Sequence, residues 1–260
     1  MEAIVLLNAL KGVVTRSVAS EGKAAVAYSG GLDSSLIAKL ASDSAEVICY
    51  SCVTEGSYDA KRVLGQGKAD GLEVRMLTIA DEDMPSLVSR TANAICSTDP
   101  IKISYSIPAV AVLARCSESL VLAGNGADEL FAGYSKYVLR PSEYESNMKN
   151  DLRKSLEEAE RLKIFARSLG KRAFFPYLTD EIVTVGCDIP LEQKMSRGSR
   201  KAILCEAGRI AGLSAADRPK KAAQYSSGTL KMMRGLAKSS NLALSQWTLD
   251  VISAQTLDKD

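Results

Sequence analysis

The chain has 260 residues, 46% apolar and 25% charged, with a formal net charge of +2 and no histidine. That length buries a sizeable core, as one large domain or two small ones, while a charge this close to neutral gives no electrostatic reason to expect nucleic acid or an anionic membrane surface. The lack of histidine excludes Ser-His-Asp catalysis and His-containing zinc sites, so any acid–base or electrostatic chemistry falls to Asp, Glu, Lys, Arg, Tyr or Cys.

No apolar run reaches membrane-spanning length. Ala3–Leu7 is apolar but short and follows Glu2 rather than a basic stretch, which does not fit a signal peptide. The six cysteines are scattered, at positions 49, 52, 96, 116, 187 and 205, which suggests reduced thiols and a cytoplasmic location. Cys49 and Cys52 form a C-x-x-C, but they fall in an apolar run that reads as a strand. Residues three apart on a strand point to opposite faces, so core packing is expected there rather than a disulfide or a shared metal.

In chain order, residues 3–19 carry apolar positions at helical spacing. Residues 24–28 read as a buried strand and 36–41 as the body of a helix. Between them stands Ser29-Gly30-Gly31-Leu32-Asp33-Ser34-Ser35, a strand-to-helix turn. Its two glycines let backbone N–H groups approach an anion, its serines add donors, and a helix N-terminus adds its positive end. Asp33 would repel phosphate unless a divalent cation lay between them. The alternative is a helix cap, which needs only one of these residues.

Further on, 46–53 is a strand, 59–69 a helix and 73–79 a strand. Residues 83–97 are helical, Thr98-Asp99-Pro100 is a turn, 107–117 is helical and 119–123 is a strand. Strands alternating with helices predict a doubly wound parallel α/β sheet. The last of these strands runs into Gly124-Asn125-Gly126-Ala127-Asp128-Glu129-Leu130-Phe131-Ala132-Gly133-Tyr134, again glycines followed by acids opening a helix. Two such turns on one sheet edge place Asp33 and Asp128 where both would flank a magnesium ion. Beyond residue 141 the pattern turns to charged helices, with one long amphipathic helix over 145–169.

The first turn resembles the pyrophosphate loop of the ATP pyrophosphatases. The second resembles the Gly-Glu-Gly-Ala-Asp-Glu-Leu-Phe-Gly-Gly-Tyr element of asparagine synthetases and the related β-lactam synthetase, with Asn125 in place of Glu and Ala132 in place of Gly. Phe175-Pro176-Tyr177-Leu178 is similar to that family's Val-Pro-Phe-Leu, residues 200–212 to its Lys-x-x-Leu-Arg helix, and Asp217-Arg218-Pro219-Lys220 to its Arg-Pro-Lys. The likeness spans roughly residues 1–230 of the 260.

The resemblance implies a single domain of the adenine nucleotide alpha hydrolase-like fold, with an α/β nucleotide-binding core over 1–140 and a mostly helical part over 141–260 completing the site. It implies ATP and magnesium, adenylation of a small-molecule carboxylate such as aspartate, release of AMP and pyrophosphate, and transfer of ammonia. The cradle would be Ser29, Gly30, Gly31, Asp33, Ser34 and Ser35, with Gly124 and Gly126 beside it. Adenine would lie near Ser51 and Val53, and the metal on Asp33 and Asp128. Lys220 would be the catalytic cation, with Glu129 and Arg172 in the catalytic set; Arg172 stands where the family has Glu. Residue 2 is Glu rather than the cysteine of a glutaminase domain, so no glutaminase domain is expected and ammonia would come free or from a separate chain. A homo-oligomer is compatible with this reading. A tRNA-modifying pyrophosphatase and a nucleotide binder without turnover are the alternatives.

Overall fold

The computed structural model describes residues 2–195, 200–217 and 226–257. Helix α1 (Glu2–Val18) leads into β1 (Lys23–Ala27), α2 (Leu32–Ser42), β2 (Glu46–Thr54), α3 (Val63–Ala69), β3 (Glu73–Ile79), α4 (Met84–Ile95), α5 (Pro100–Arg115) and β4 (Leu120–Ala123). There follow α6 (Ala127–Leu130), α7 (Ser135–Leu139), α8 (Tyr144–Ser168), β5 (Arg172–Phe174), α9 (Asp180–Asp188), α10 (Leu191–Lys194), α11 (Ala202–Ile210), α12 (Thr229–Ser239) and α13 (Leu244–Leu257).

The strands form one sheet in the order β3-β2-β1-β4-β5, and every neighbouring pair is parallel. From β1 the chain first builds outward through β2 and β3, then returns to lay β4 on the other side of β1. Right-handed crossovers put the helices of the two halves on opposite faces. In keeping with this, α2, α9 and α11 pack around α1, while α4, α5 and α8 pack together. Covered on both sides, β1 and β4 read as apolar runs without alternation, and all four residues of β4 are buried. Ligands in such sheets bind where the strand order reverses, beyond the carboxyl ends of the strands. Here that point lies between β1 and β4, where both glycine-bearing turns emerge.

Three elements differ from the sequence expectation, the first being α3, which starts at Val63 rather than at the expected 59. Helix α5 starts at Pro100, seven residues before the expected 107. Asp99 caps it, its carboxylate accepting from the N–H groups of Ile101 at 2.8 Å and Lys102 at 3.4 Å, and proline suits the first helical position because no N–H is needed there. Strand β5 was not expected at all. It is three residues long, too short for any periodicity, and it brings part of the chain beyond residue 140 into the core sheet. Among the described residues no helix is long and apolar enough to cross a membrane.

Candidate active site

Residues 28–31 turn the chain from β1 into α2, with Gly30 at a φ of 68° that favours glycine. The N-cap of α2 is Gly31, and no side chain caps this helix. The first-turn N–H groups, which a Ser or Asp cap would have satisfied, therefore remain available to an anion. The hydroxyls close on one another instead. Ser34 Oγ donates to Gly31 O at 3.2 Å and accepts from Ser29 N at 3.2 Å, while Ser29 Oγ accepts from Gly31 N at 3.3 Å. Ser29 and Ser34 thus face one another across the loop. Ser35 does not join them: one step further round the helix, its hydroxyl donates to the Tyr28 phenol at 3.3 Å in the interior.

The second turn lies directly against the first. A Cβ built on Gly124 would meet Asp33 Cβ at 3.2 Å and Ser34 N at 3.4 Å. Gly126 is the N-cap of α6 and packs against Leu178 and Tyr177. The Tyr177 hydroxyl donates to Asp33 O at 3.1 Å, so the Phe175–Leu178 stretch supports the first turn from behind.

The two aspartates meet on a single cation. Lys201 Nζ lies 2.7 Å from both carboxylate oxygens of Asp33 and 2.8 Å from Asp128 Oδ1. Its side chain is 5% exposed, against 23% and 24% for the two carboxylates. Burial alone would pull this ammonium down, but Asp128 and Asp33 together outweigh it and hold Lys201 above the ordinary lysine value. The site therefore keeps its positive centre through the whole neutral range.

Lys201 stands just before α11 in the left-handed region, at a φ of 56°. The neighbouring Arg200 donates to Gly133 O at 3.2 Å. A Cβ on Gly133 would overlap both Asp128 Oδ1 and the Lys201 stem. Gly133→Ala is accordingly expected to break the Lys201–Asp128 contact and lower the melting temperature by several degrees, since overpacking costs about 1–3 kcal/mol. A variant with the parent's melting curve would contradict this placement.

Glu129 adjoins Asp128 in sequence, but its carboxylate turns away from Lys201. Oε1 accepts from Tyr134 and from Ser155, each at 2.7 Å. Ser51 and Val53 are buried in the carboxyl half of β2, and Ser227 O accepts from Thr54 N at 2.9 Å at the end of that strand. Arg172 is not brought to the site. It opens β5, pairs with Leu120 in register, and donates to Ser17 O at 2.8 Å and Glu21 Oε1 at 3.1 Å. These partners lie at the amino-terminal edge of the sheet, opposite the two turns, so an alignment with the family Glu did not reveal where the side chain goes. Lys220 lies outside the described residues.

Cys49 and Cys52 are buried in β2, and burial pushes both thiols up to about 12. They pack the core and form no reactive pair.

The asparagine synthase family model matches residues 6–175. A putative glutamine-hydrolysing asparagine synthetase from Methanocaldococcus jannaschii is 33% identical over 89% of this chain and 50% of its own length. Glutamine-hydrolysing asparagine synthetase 3 of Arabidopsis thaliana is 28% identical over 75% of this chain and 37% of its own length. Asparagine synthetase domain-containing protein 1 of Bos taurus is 33% identical over 55% of this chain and 24% of its own. The chain thus spans half or less of the length of these curated relatives. A solved NMN synthetase from Francisella tularensis superposes with a TM-score of 0.44 at 12% identity, over 96% of this chain and 90% of that one. The family match takes in both turns, β1 through β5 and the Phe175 edge of the site, and the chain belongs to the asparagine synthase family.

Proposed function

We propose that this chain is an ATP-dependent ligase domain that adenylates a carboxylic acid and passes the acyl group to ammonia, releasing AMP and pyrophosphate. The observation that carries the reading is the convergence of Asp33 and Asp128 on one buried cation, Lys201, beside an uncapped helix N-terminus at the sheet's switch point. Cleavage between the α and β phosphates needs a cradle for the leaving pyrophosphate and fixed charge around it. The N–H groups of α2 with the Ser29 and Ser34 hydroxyls supply the first, and the Lys201 centre supports the second.

Asp33 and Asp128 are the residues that would hold magnesium. They already share one cation, and magnesium is commonly held by one or two carboxylates, with phosphate oxygens and water completing its shell. When bound, the ion supplies neutralisation of the triphosphate. Lys201 holds the two carboxylates at one point, so the pair is assembled before any nucleotide arrives. Ser51 and Val53 are assigned to the adenine side, and Lys220 to the charge developing on the α-phosphoryl group, on the family resemblance. The raised thiols of Cys49 and Cys52 weigh against a sulfur-transfer reaction, which needs a thiolate.

The products test the reading. With ATP, magnesium, ammonium chloride and a panel of carboxylic acids, phosphorus NMR is expected to show AMP and pyrophosphate in equal amounts. Formation of ADP and inorganic phosphate would contradict the proposal.

A further inference from the structure

At the end of the sheet away from the two turns, Lys171 reaches back from the start of β5 to the end of α5. Its ammonium donates to Leu113 O at 2.9 Å and to Cys116 O, satisfying carbonyls that the last turn of the helix leaves open. It also donates to Cys116 Sγ at 3.3 Å, although the two residues are 55 apart in sequence. Capping of α5 explains the first two contacts but not the third. Among the described residues Cys116 is the one cysteine whose sulfur accepts from a lysine.

The thiol lies just under the surface. Cys116 is 5% exposed, while Arg115 and Ser117 on either side of it are exposed, so a molecule little larger than water has a short path to the sulfur. Burial raises the thiol above the ordinary cysteine value, the Lys171 ammonium offsets part of that rise, and the Glu118 charge adds to it. Oxidation here is therefore slow, and its product is decided by what touches the sulfur. Glu118 supplies a proton acceptor nearby: the Cys116 thiol donates to its backbone oxygen at 3.8 Å. The Glu118 side chain is buried. Its Oε1 accepts from Ser117 at 3.0 Å, and its Oε2 has no hydrogen-bond partner among the described residues.

We propose that Cys116 and Lys171 form a peroxide-driven, reducible sulfenamide bridge between Sγ and Nζ. Hydrogen peroxide oxidises the thiol to a sulfenic acid; its O–O bond breaks and water leaves. Glu118 takes a proton from the ammonium, and the neutral amine attacks the sulfenic sulfur. The S–N bond forms as the S–O bond breaks, and the hydroxide leaves as water with a proton of the amine. A dithiol reductant returns thiol and amine and becomes a disulfide itself. The bridge would fasten the end of α5 to the residue ahead of β5, the strand that continues into the Phe175–Leu178 support of the first turn. The proposal is independent of the ligase reading.

Peptide mapping of the folded 260-residue chain after treatment with hydrogen peroxide tests it. The Cys116 and Lys171 peptides are expected to be joined, lighter than their sum by two hydrogens, and to separate in dithiothreitol. Contact in the folded chain should raise the yield about tenfold or more over that from the chain unfolded in guanidinium chloride before oxidation. Lys171→Arg keeps a cationic donor at the end of α5 but removes the nucleophilic amine, and Cys116→Ser removes the sulfur at little change in volume. Thermal melts confirm that both variants fold, and neither should give the joined peptides. Three results would overturn the proposal: Cys116 recovered from the parent only as thiol, sulfinic or sulfonic acid; a joined pair that retains oxygen; or equal yields from the folded and unfolded chains.

Discussion

Lys201→Met is expected to lower the melting temperature by roughly 5–10 °C in the absence of magnesium and to abolish pyrophosphate exchange. Methionine keeps the apolar stem and removes the charge, leaving Asp33 and Asp128 facing one another. Breaking a buried ion pair from one side typically costs about 3–5 kcal/mol. The effect falls at the lower end here, because each carboxylate keeps about a quarter of its surface in water. Magnesium should restore more stability to the variant than to the parent, since the ion binds the folded form where the ammonium no longer competes. Equal magnesium stabilisation of the two proteins would show that Lys201 and the metal do not share these carboxylates.

Asp33→Asn and Asp128→Asn should each reduce exchange by about a hundredfold or more, the loss expected when one fixed charge is removed from a phosphoryl-transfer centre. Their folds should be less affected than that of Lys201→Met, because Lys201 retains one carboxylate partner in either case. Asparagine matches aspartate in shape and changes only charge and hydrogen bonding. A variant that kept full magnesium-dependent exchange would remove that carboxylate from the metal site.

Much of this arrangement could be read from the chain. Strand and helix periodicity alternate from residue 24 onward, and both turns announce themselves as glycines followed by an acid at the end of an apolar run. The sequence did not distinguish a capped helix from an anion site; in the structure Gly31 is the N-cap of α2 and no side chain caps the helix. Lys201 escaped selection as the central cation because it lies 168 residues from Asp33 and reaches both acids only through the packing of α11 against α2. Its place in a Lys-x-x-Leu stretch was the available signal. The Ser-Gly-Gly-x-Asp-Ser-Ser pattern implies a donor role for Ser35, but successive residues on a helix diverge by about 100°, and its hydroxyl meets Tyr28 instead. Arg172 was misplaced for a related reason: position in an alignment says nothing about which end of a short strand a residue occupies, and β5 starts at Arg172 on the edge away from the turns.

Exchange of labelled pyrophosphate into ATP measures adenylation without depending on the nitrogen donor. The parent chain, with magnesium and a panel of carboxylic acids but no ammonia, is expected to incorporate label only when one of the acids is present, and to lose that incorporation in Asp33→Asn. Exchange that proceeds with no acid, or the absence of exchange with every acid although ATP binds, would contradict a carboxylate-adenylating site.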